Sequence, residues 1–429
     1  MNRLSLGYLS LVVAAFMIGL GNIWKFPALL LQYGLGGLVV YLLFVAMIIP
    51  LIAVALESTK HRRYEILEYY FKEYGRPAFA LLFLVFNVLL ISYYTIVGGW
   101  TLSGLFIEDV TGSLTGNLAT LVIVFAILIL VLMRGKEKTL DVMVISVGLF
   151  FLALIISGLG IYVNVPNKAA IGETLSRAFT WKGITPDMIR DMAIQAAYSL
   201  SLGMGFYLVL GEFLPDEISG VKLATAGAVL DTTASLLATV GISMILAVDP
   251  TIPIEGTALL FQGLPKVMLE VLKLPALLYL LSFAVFLAAI SSMIPIGETM
   301  VRIYSNLTRI PREKSVLLIL GGGLALGIAN VLGMGFGIDT ITILDSAVST
   351  FVLFGGIIAA WAAIEHREYV PESVRKAAYP GILVVAVLGL YSLYTMLTTK
   401  QYVSFLLLVG VIVIVLGING KVKSYLESR

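Results

Sequence analysis

Long apolar stretches recur from one end of this 429-residue chain to the other, and they constrain its fold more than any other feature. Hydrophobic residues fill 59% of the positions and charged residues only 13%, which is about half the charged share of a typical soluble domain. A bilayer offers no water to backbone polar groups, so such stretches must form helices that satisfy their own N–H and C=O groups. We therefore predict an all-α polytopic membrane protein, with the lipid bilayer as a partner.

Twelve stretches have the length and apolarity of membrane-spanning helices. They cover residues 6–33, 37–58, 78–107, 117–133, 140–163, 188–214, 218–247, 275–304, 315–333, 341–364, 378–398 and 402–419. Lys and Arg concentrate in alternate loops, for example at Arg62, Arg134 and Arg312, which fall on one side of the membrane if this count is right. The positive-inside rule makes that side cytoplasmic, so we predict a plasma-membrane protein with both termini in the cytoplasm.

Several function classes are disfavoured by composition. The chain has no cysteine, which excludes disulfides and thiolate metal sites, and its two histidines both lie beside other charges at the ends of apolar runs. No nucleophile–base set or cofactor motif is present, so we expect no enzyme. A net charge of +2 gives no reason to expect a nucleic-acid partner, and the sequence leaves the oligomeric state open.

Two of the twelve stretches are interrupted by glycines and polar residues at mid-membrane depth. The first contains the run Met17–Asn22 and the sixth contains the run Ser199–Gly205. Because these runs lie five spans apart, they occupy corresponding places in two five-helix halves. Such a pair is typical of inverted-repeat transporters with discontinuous helices. Close helix packing is the structural alternative for either run taken alone.

The run from Gly19 to Pro27 resembles the neurotransmitter:sodium symporter family, which usually has Arg where this chain has Lys25. Further matches occur in order at Tyr93-Tyr94 with Trp100, Gln195–Gly205, Leu230-Asp231-Thr232, Ala288–Ser292 with Glu298, and Asp345. The resemblance implies a leucine-transporter-type fold, with two inverted five-helix repeats, broken helices 1 and 6, and two C-terminal helices. The transporter core would cover 1–370, with repeats at about 1–165 and 185–370, and the accessory helices would lie within 371–429.

A broken helix leaves backbone N–H groups unpaired on one side of the break and C=O groups on the other. The N–H groups suit a carboxylate and the C=O groups suit a sodium ion. The resemblance implies that the N–H groups of Gly19 and Gly21 hold the substrate carboxylate beside the Tyr94 hydroxyl. The implied substrate-binding residues are Met17, Gly19, Gly21, Leu90, Tyr94, Tyr198, Ser199, Ser201, Met204, Ser292 and Ile296.

The resemblance also implies Na⁺ as the coupling ion, at two sites. The first site would use the Met17 carbonyl, the substrate carboxylate and the side chains of Asn22, Ser199 and Asp231. The second would use the carbonyls of Ala15, Ile18 and Ala288 and the hydroxyls of Ser291 and Ser292. Since the first ion shares the substrate carboxylate, each ligand would raise the affinity for the other.

Gly19 bears on the substrate class. The family's monoamine transporters have an Asp at the similar position, which pairs with the substrate amine, whereas Gly19 leaves room for a carboxylate. The mostly apolar pocket favours neutral or hydrophobic L-amino acids, as in prokaryotic members of the family. Three alternatives stay open: uptake of a β- or γ-amino acid, a non-transporting amino-acid sensor, and a channel on the same scaffold.

The resemblance places an outer gate at Lys25 and Asp345, although Lys cannot form the bidentate fork that Arg makes with a carboxylate. It gives no inner gate, because Asn306 lies near the place where the family has an Asp. Asp231 stands where chloride-dependent members usually have Asn, so we expect chloride independence. Against this, three residues suited to an anion site are present: Ser235, Tyr41 and Gln195.

Overall fold

The computed structural model describes residues 5–106, 112–252, 254 and 259–429. The helices of the first half are α1 Leu6–Met17, α2 Leu20–Ile23, α3 Lys25–Lys60, α4 Ile66–Tyr74, α5 Ala78–Ser103, α6 Leu114–Met133, α7 Lys136–Asn164 and α8 Lys168–Phe179. Those of the second half are α9 Pro186–Ser199, α10 Phe206–Gly211, α11 Gly220–Val248, α12 Leu264–Lys266 (between π-helical turns Leu259–Gly263 and Val267–Val271), α13 Pro275–Thr308, α14 Arg312–Gly335, α15 Thr340–Ala359, α16 Trp361–Ile364, α17 Glu372–Thr398, α18 Tyr402–Gly417 and α19 Asn419–Glu427.

Ten helices of the described residues are long and apolar enough to cross a membrane. The two predicted spans without an uninterrupted helix of that length are the first and the sixth, as their glycine runs suggest. The first two spans are joined, since α3 continues to Lys60 through a change of direction at Gly34, where φ is +68°. The predicted end of the third span, position 107, lies outside the described residues. The short helices α4, α8, α12 and α19 were not predicted.

Both predicted helix breaks are present. α1 ends at Met17, because Ile18 and Gly19 have extended backbone conformations, and α2 begins at Leu20. Between α9 and α10 the chain turns through Ser201, Gly203 and Gly205, all with positive φ. A Cβ at Gly203 would lie 2.1 Å from the Val352 carbonyl oxygen, so only glycine fits there.

Packing brings the two breaks together at the centre of the protein. α13 packs against α5 and α7, and α11 packs against α1 and α3. Phe16, in the last turn of α1, makes edge-to-face contacts with Phe206 and Tyr207 of α10, at centroid distances of 4.8 and 5.2 Å. The end of α1, the first part of one broken helix, therefore packs against α10, the second part of the other.

Candidate substrate and sodium sites at the helix breaks

A cavity lies between the two breaks. It is lined by Met17, Gly19, Gly21, Asn22, Leu90, Tyr94, Tyr198, Ser199, Ser201, Met204, Ser292 and Ile296. Every residue predicted to bind the substrate is in this set, although these residues come from four separate parts of the sequence. The structure thus gathers all of them around one space.

At the first break, the backbone N–H group that contacts the Tyr94 hydroxyl is not one of the two expected, those of Gly19 and Gly21. The Leu20 N–H donates to the Tyr94 hydroxyl at 3.0 Å, whereas the Gly19 N–H donates to Asn22 Oδ1 at 2.9 Å. Leu20 was not among the predicted residues, because its contribution is a backbone group that its side chain does not reveal. The Leu20 N–H is therefore already paired with the Tyr94 hydroxyl.

Gly19 is closely surrounded in the cavity wall. A Cβ built there would lie 2.8 Å from the Tyr94 hydroxyl oxygen and 3.2 Å from Ser292 Oγ. No side chain fits without displacing one of these groups. By contrast, a Cβ at Gly21 would meet only Gln195 Nε2, at 3.7 Å, which is an ordinary contact.

The side chains assigned to the first sodium site form one buried cluster. Asn22 Nδ2 donates to Asp231 Oδ1 at 2.7 Å and to Ser199 Oγ at 2.8 Å. Ser199 in turn donates to Asp231 Oδ2 at 2.7 Å. Asp231 is fully buried, and a buried carboxylate in a membrane-spanning helix is costly enough to indicate a functional role.

Two further hydroxyls complete this cluster. Asn22 Nδ2 also lies 2.8 Å from Ser235 Oγ, and the Tyr41 hydroxyl donates to Asp231 Oδ2 at 3.2 Å. Gln195 Nε2 donates weakly to the Gly21 carbonyl at 3.5 Å, and its buried Oε1 has no partner among the described residues. The three residues that weighed against chloride independence therefore lie around or near the same cluster.

The residues assigned to the second sodium site meet between α1 and α13. Ser292 Oγ donates to the Ile18 carbonyl at 2.7 Å and also lies 3.1 Å from the Ala288 carbonyl oxygen. Ser291 Oγ donates to the Ala288 carbonyl at 3.0 Å, and Ala15 is buried in the last turn of α1. The Ile18 and Ala288 carbonyls and the two serine hydroxyls therefore lie together near the end of α1.

The predicted outer gate is not a direct ion pair. Asp345 accepts a hydrogen bond from the Tyr93 hydroxyl at 2.9 Å, and the Tyr93 and Tyr198 hydroxyls lie 3.4 Å apart. The Lys25 ammonium group lies 5.8 Å from the centroid of the Tyr198 ring. Lys25 and Asp345 are thus connected through two tyrosines, one of which lines the cavity.

We predict that Asp345→Ala accelerates substrate dissociation by on the order of tenfold, because Tyr93 loses a charged acceptor above the cavity. Lys25→Arg should be tolerated. The measurement is the release rate of radiolabelled substrate from the purified protein. Asp339→Asn, an exposed acid at the start of the same helix, is the control. An unchanged release rate in the Asp345 variant would remove this residue from the gate.

A buried charge cluster lies where α13 meets α10 and α14. Glu298 accepts from Arg302 Nε at 2.9 Å and from Arg312 Nη2 at 2.6 Å. Arg302 also bonds Glu212, and its guanidinium lies 3.9 Å from Glu65, which itself accepts from Asn306. Sequence analysis named Glu298, Asn306 and Arg312 separately and did not link them, because the two other acids, Glu65 and Glu212, come from distant parts of the chain.

Glu298→Gln is expected to lower the free energy of unfolding by about 3–5 kcal/mol, because two partly or fully buried arginines lose their shared counter-charge. The measurement is thermal unfolding of the detergent-solubilised protein. Glu68→Gln, which removes a partly exposed partner of Lys72, should change stability little. Equal effects of the two substitutions would contradict a stabilising role for the cluster.

No protein-family model matches the chain. It is 26% identical over 326 residues to the uncharacterized sodium-dependent transporter YhdH of Bacillus subtilis, which covers 68% of this chain and 69% of that protein. It is 25% identical over 363 residues to an uncharacterized sodium-dependent transporter of Haemophilus influenzae, covering 74% and 76%. The crystal structure of MhsT in complex with L-phenylalanine matches with a TM-score of 0.76 and 21% identity, covering 90% of this chain and 98% of MhsT.

The protein has the leucine-transporter fold. The predicted fold class is therefore confirmed, as is the resemblance to neurotransmitter:sodium symporters, since the sequence relatives are sodium-dependent transporters. Those relatives are transporters rather than enzymes, and the apolar helices make the chain a multi-pass membrane protein. Within this transporter fold, the cavity between the helix breaks is the candidate functional site.

Proposed function

We propose that the protein is a secondary active symporter, which couples Na⁺ entry to uptake of neutral or hydrophobic L-amino acids by alternating access. The observation that carries the proposal is the single cavity between the two helix breaks. One wall bears Gly19, Gly21 and the Tyr94 hydroxyl, and the adjacent wall bears Asn22 and Ser199 of the Asn22–Ser199–Asp231 cluster. A carboxylate and a cation would therefore bind side by side.

The hydrogen bonds of Asn22 suggest how the two ligands are coupled. Its amide nitrogen faces Asp231 and Ser199, and its amide oxygen holds the Gly19 N–H. A sodium ion beside Asp231 would repel the amide hydrogens and attract the amide oxygen. Turning the amide would free the Gly19 N–H for the substrate carboxylate, so each ligand would favour binding of the other.

The remainder of the cavity supports an apolar substrate side chain. Leu90, Met204 and Ile296 supply hydrocarbon and thioether surface, and methionine adapts readily to different shapes. The Ser201 hydroxyl already donates to the Phe16 carbonyl at 2.8 Å, so its hydrogen is committed. The presence of L-phenylalanine in the MhsT complex supports the same substrate class.

The test is uptake of labelled leucine, methionine and phenylalanine into proteoliposomes under an inward Na⁺ gradient, with γ-aminobutyrate and β-alanine in the same panel. We expect saturable accumulation of the α-amino acids, which collapses when K⁺ replaces Na⁺. Binding of equal strength in Na⁺ and K⁺ would refute sodium coupling. Binding without accumulation would favour a sensor, and preference for the β- or γ-amino acids would change the substrate class.

We further expect transport to be independent of chloride, because the carboxylate of Asp231 supplies the negative charge beside the first sodium and would repel an anion there. The measurement is Na⁺-driven uptake with all chloride replaced by gluconate. Uptake should keep most of its rate. Loss of most activity would instead assign an anion site to Tyr41, Gln195 and Ser235.

A further inference from the structure

A second, apolar space lies outside the cavity between the helix breaks. It is a groove between the C-terminal parts of α7 and α11 and the N-terminal part of α13. Apart from the phenol group of Tyr162, no lining side chain carries a polar atom. All three helices are long and apolar enough to cross a membrane. The groove therefore belongs to the part of the surface that the bilayer surrounds.

Two glycines on facing helices open the groove. Gly158 of α7 and Gly241 of α11 both line it, and a Cβ built at either position would meet no atom within 4 Å. Glycine is thus not required there by packing against another helix. The missing side chains instead leave a slot between α7 and α11.

The groove has an open mouth and a buried floor. At the mouth, Leu159 and Ile155 are 62% and 47% exposed. At the floor, Ile23 is 3% exposed and belongs to α2, the short helix that also carries Asn22. An elongated apolar molecule entering from the bilayer would therefore reach the helix that follows the first break.

A cation stands at the rim of the groove. The Lys168 ammonium group lies 5.1 Å from the ring centroid of Tyr162, which lines the groove. Lys168 lies four residues beyond the end of α7. A lysine just beyond the end of a membrane-spanning helix is suited to contact a lipid headgroup. Among the described residues no carboxylate forms an ion pair with it.

We propose that this groove holds one acyl chain of a phospholipid whose phosphate group pairs with Lys168. Moving a chain from the bilayer into the groove removes no apolar surface from water, so the hydrophobic effect does not drive binding. The gain is dispersion contact along a slot that bulk lipid would fill poorly, together with the charge pair at the rim. The charge pair distinguishes a phospholipid from other apolar occupants.

The acyl-chain part is tested by native mass spectrometry of the full-length protein, titrated with dioleoylphosphatidylglycerol in detergent. Gly158→Leu/Gly241→Leu places side chains in the slot, where a Cβ at either position meets no atom within 4 Å, and should lower lipid occupancy at least about tenfold. Gly148→Leu is the control, because this glycine of α7 has equally open surroundings but does not line the groove. Equal occupancy in the filled variant and the control would overturn the proposal. If the double variant is not monodisperse, Gly241→Leu alone is compared with the control.

The phosphate part is tested with Lys168→Gln and two probes, dioleoylphosphatidylglycerol and dioleoylglycerol, which lacks the phosphate. We expect Lys168→Gln to weaken binding of the phospholipid to the level of dioleoylglycerol, and to leave dioleoylglycerol binding unchanged. Lys222→Gln, at the opposite end of α11, should change the binding of neither probe. Equal binding of the two probes by the unmodified protein would overturn the assignment of a phospholipid.

Discussion

Replacing Gly19 with aspartate is expected to abolish amino-acid binding. A Cβ at this position already lies 2.8 Å from the Tyr94 hydroxyl oxygen, so the new side chain must displace a group that lines the cavity. Its carboxylate would then face the substrate carboxylate in a water-poor site, where like charges at close range cost several kcal/mol. The measurement is equilibrium binding of radiolabelled leucine in saturating Na⁺.

Two smaller substitutions separate crowding from charge. Gly19→Ala adds only the crowded methyl group and should weaken binding without abolishing it. Gly21→Ala should be tolerated, because its Cβ meets Gln195 Nε2 at an ordinary distance of 3.7 Å. Full affinity in Gly19→Asp would show that this position does not face the substrate, and the carboxylate site would have to lie elsewhere.

Asp231→Asn should weaken Na⁺ binding by roughly a hundredfold or more, because it removes the only formal negative charge that the protein contributes to the cluster. Asn22, Ser199 and Tyr41 all donate hydrogen bonds to this carboxylate, and an amide nitrogen cannot accept them. The measurement is the Na⁺ concentration that gives half-maximal binding of labelled substrate. Thr233→Ala, at an exposed position two residues along the same helix, should leave it unchanged.

Asp231→Asn also tests the expectation that transport is independent of chloride. With Asp231 neutral, an anion near Ser235 is no longer repelled, so chloride should partly restore Na⁺-dependent binding. Asp231→Asn/Ser235→Ala should lose that rescue. An unaltered Na⁺ requirement in Asp231→Asn would contradict the role of this carboxylate as a sodium ligand.

The sequence alone determined the membrane class, most of the spans and both helix breaks. Hydropathy acts over a single stretch of chain, and a glycine run such as Met17–Asn22 marks its own interruption. Such features depend on local composition and need no knowledge of packing. The resemblance to a known family extended the prediction to the cavity, whose lining includes every residue predicted to bind the substrate.

Only the tertiary structure decided which groups meet across the chain. It joined the first two spans through Gly34, where a close approach to the Thr180 carbonyl leaves no room for a Cβ. It placed the Leu20 N–H beside Tyr94, and inserted two tyrosines between Lys25 and Asp345. These features depend on the relative placement of helices distant in sequence, which a pattern read along one helix does not contain. The buried ion cluster and the apolar groove arise in the same way, from side chains that only packing brings together.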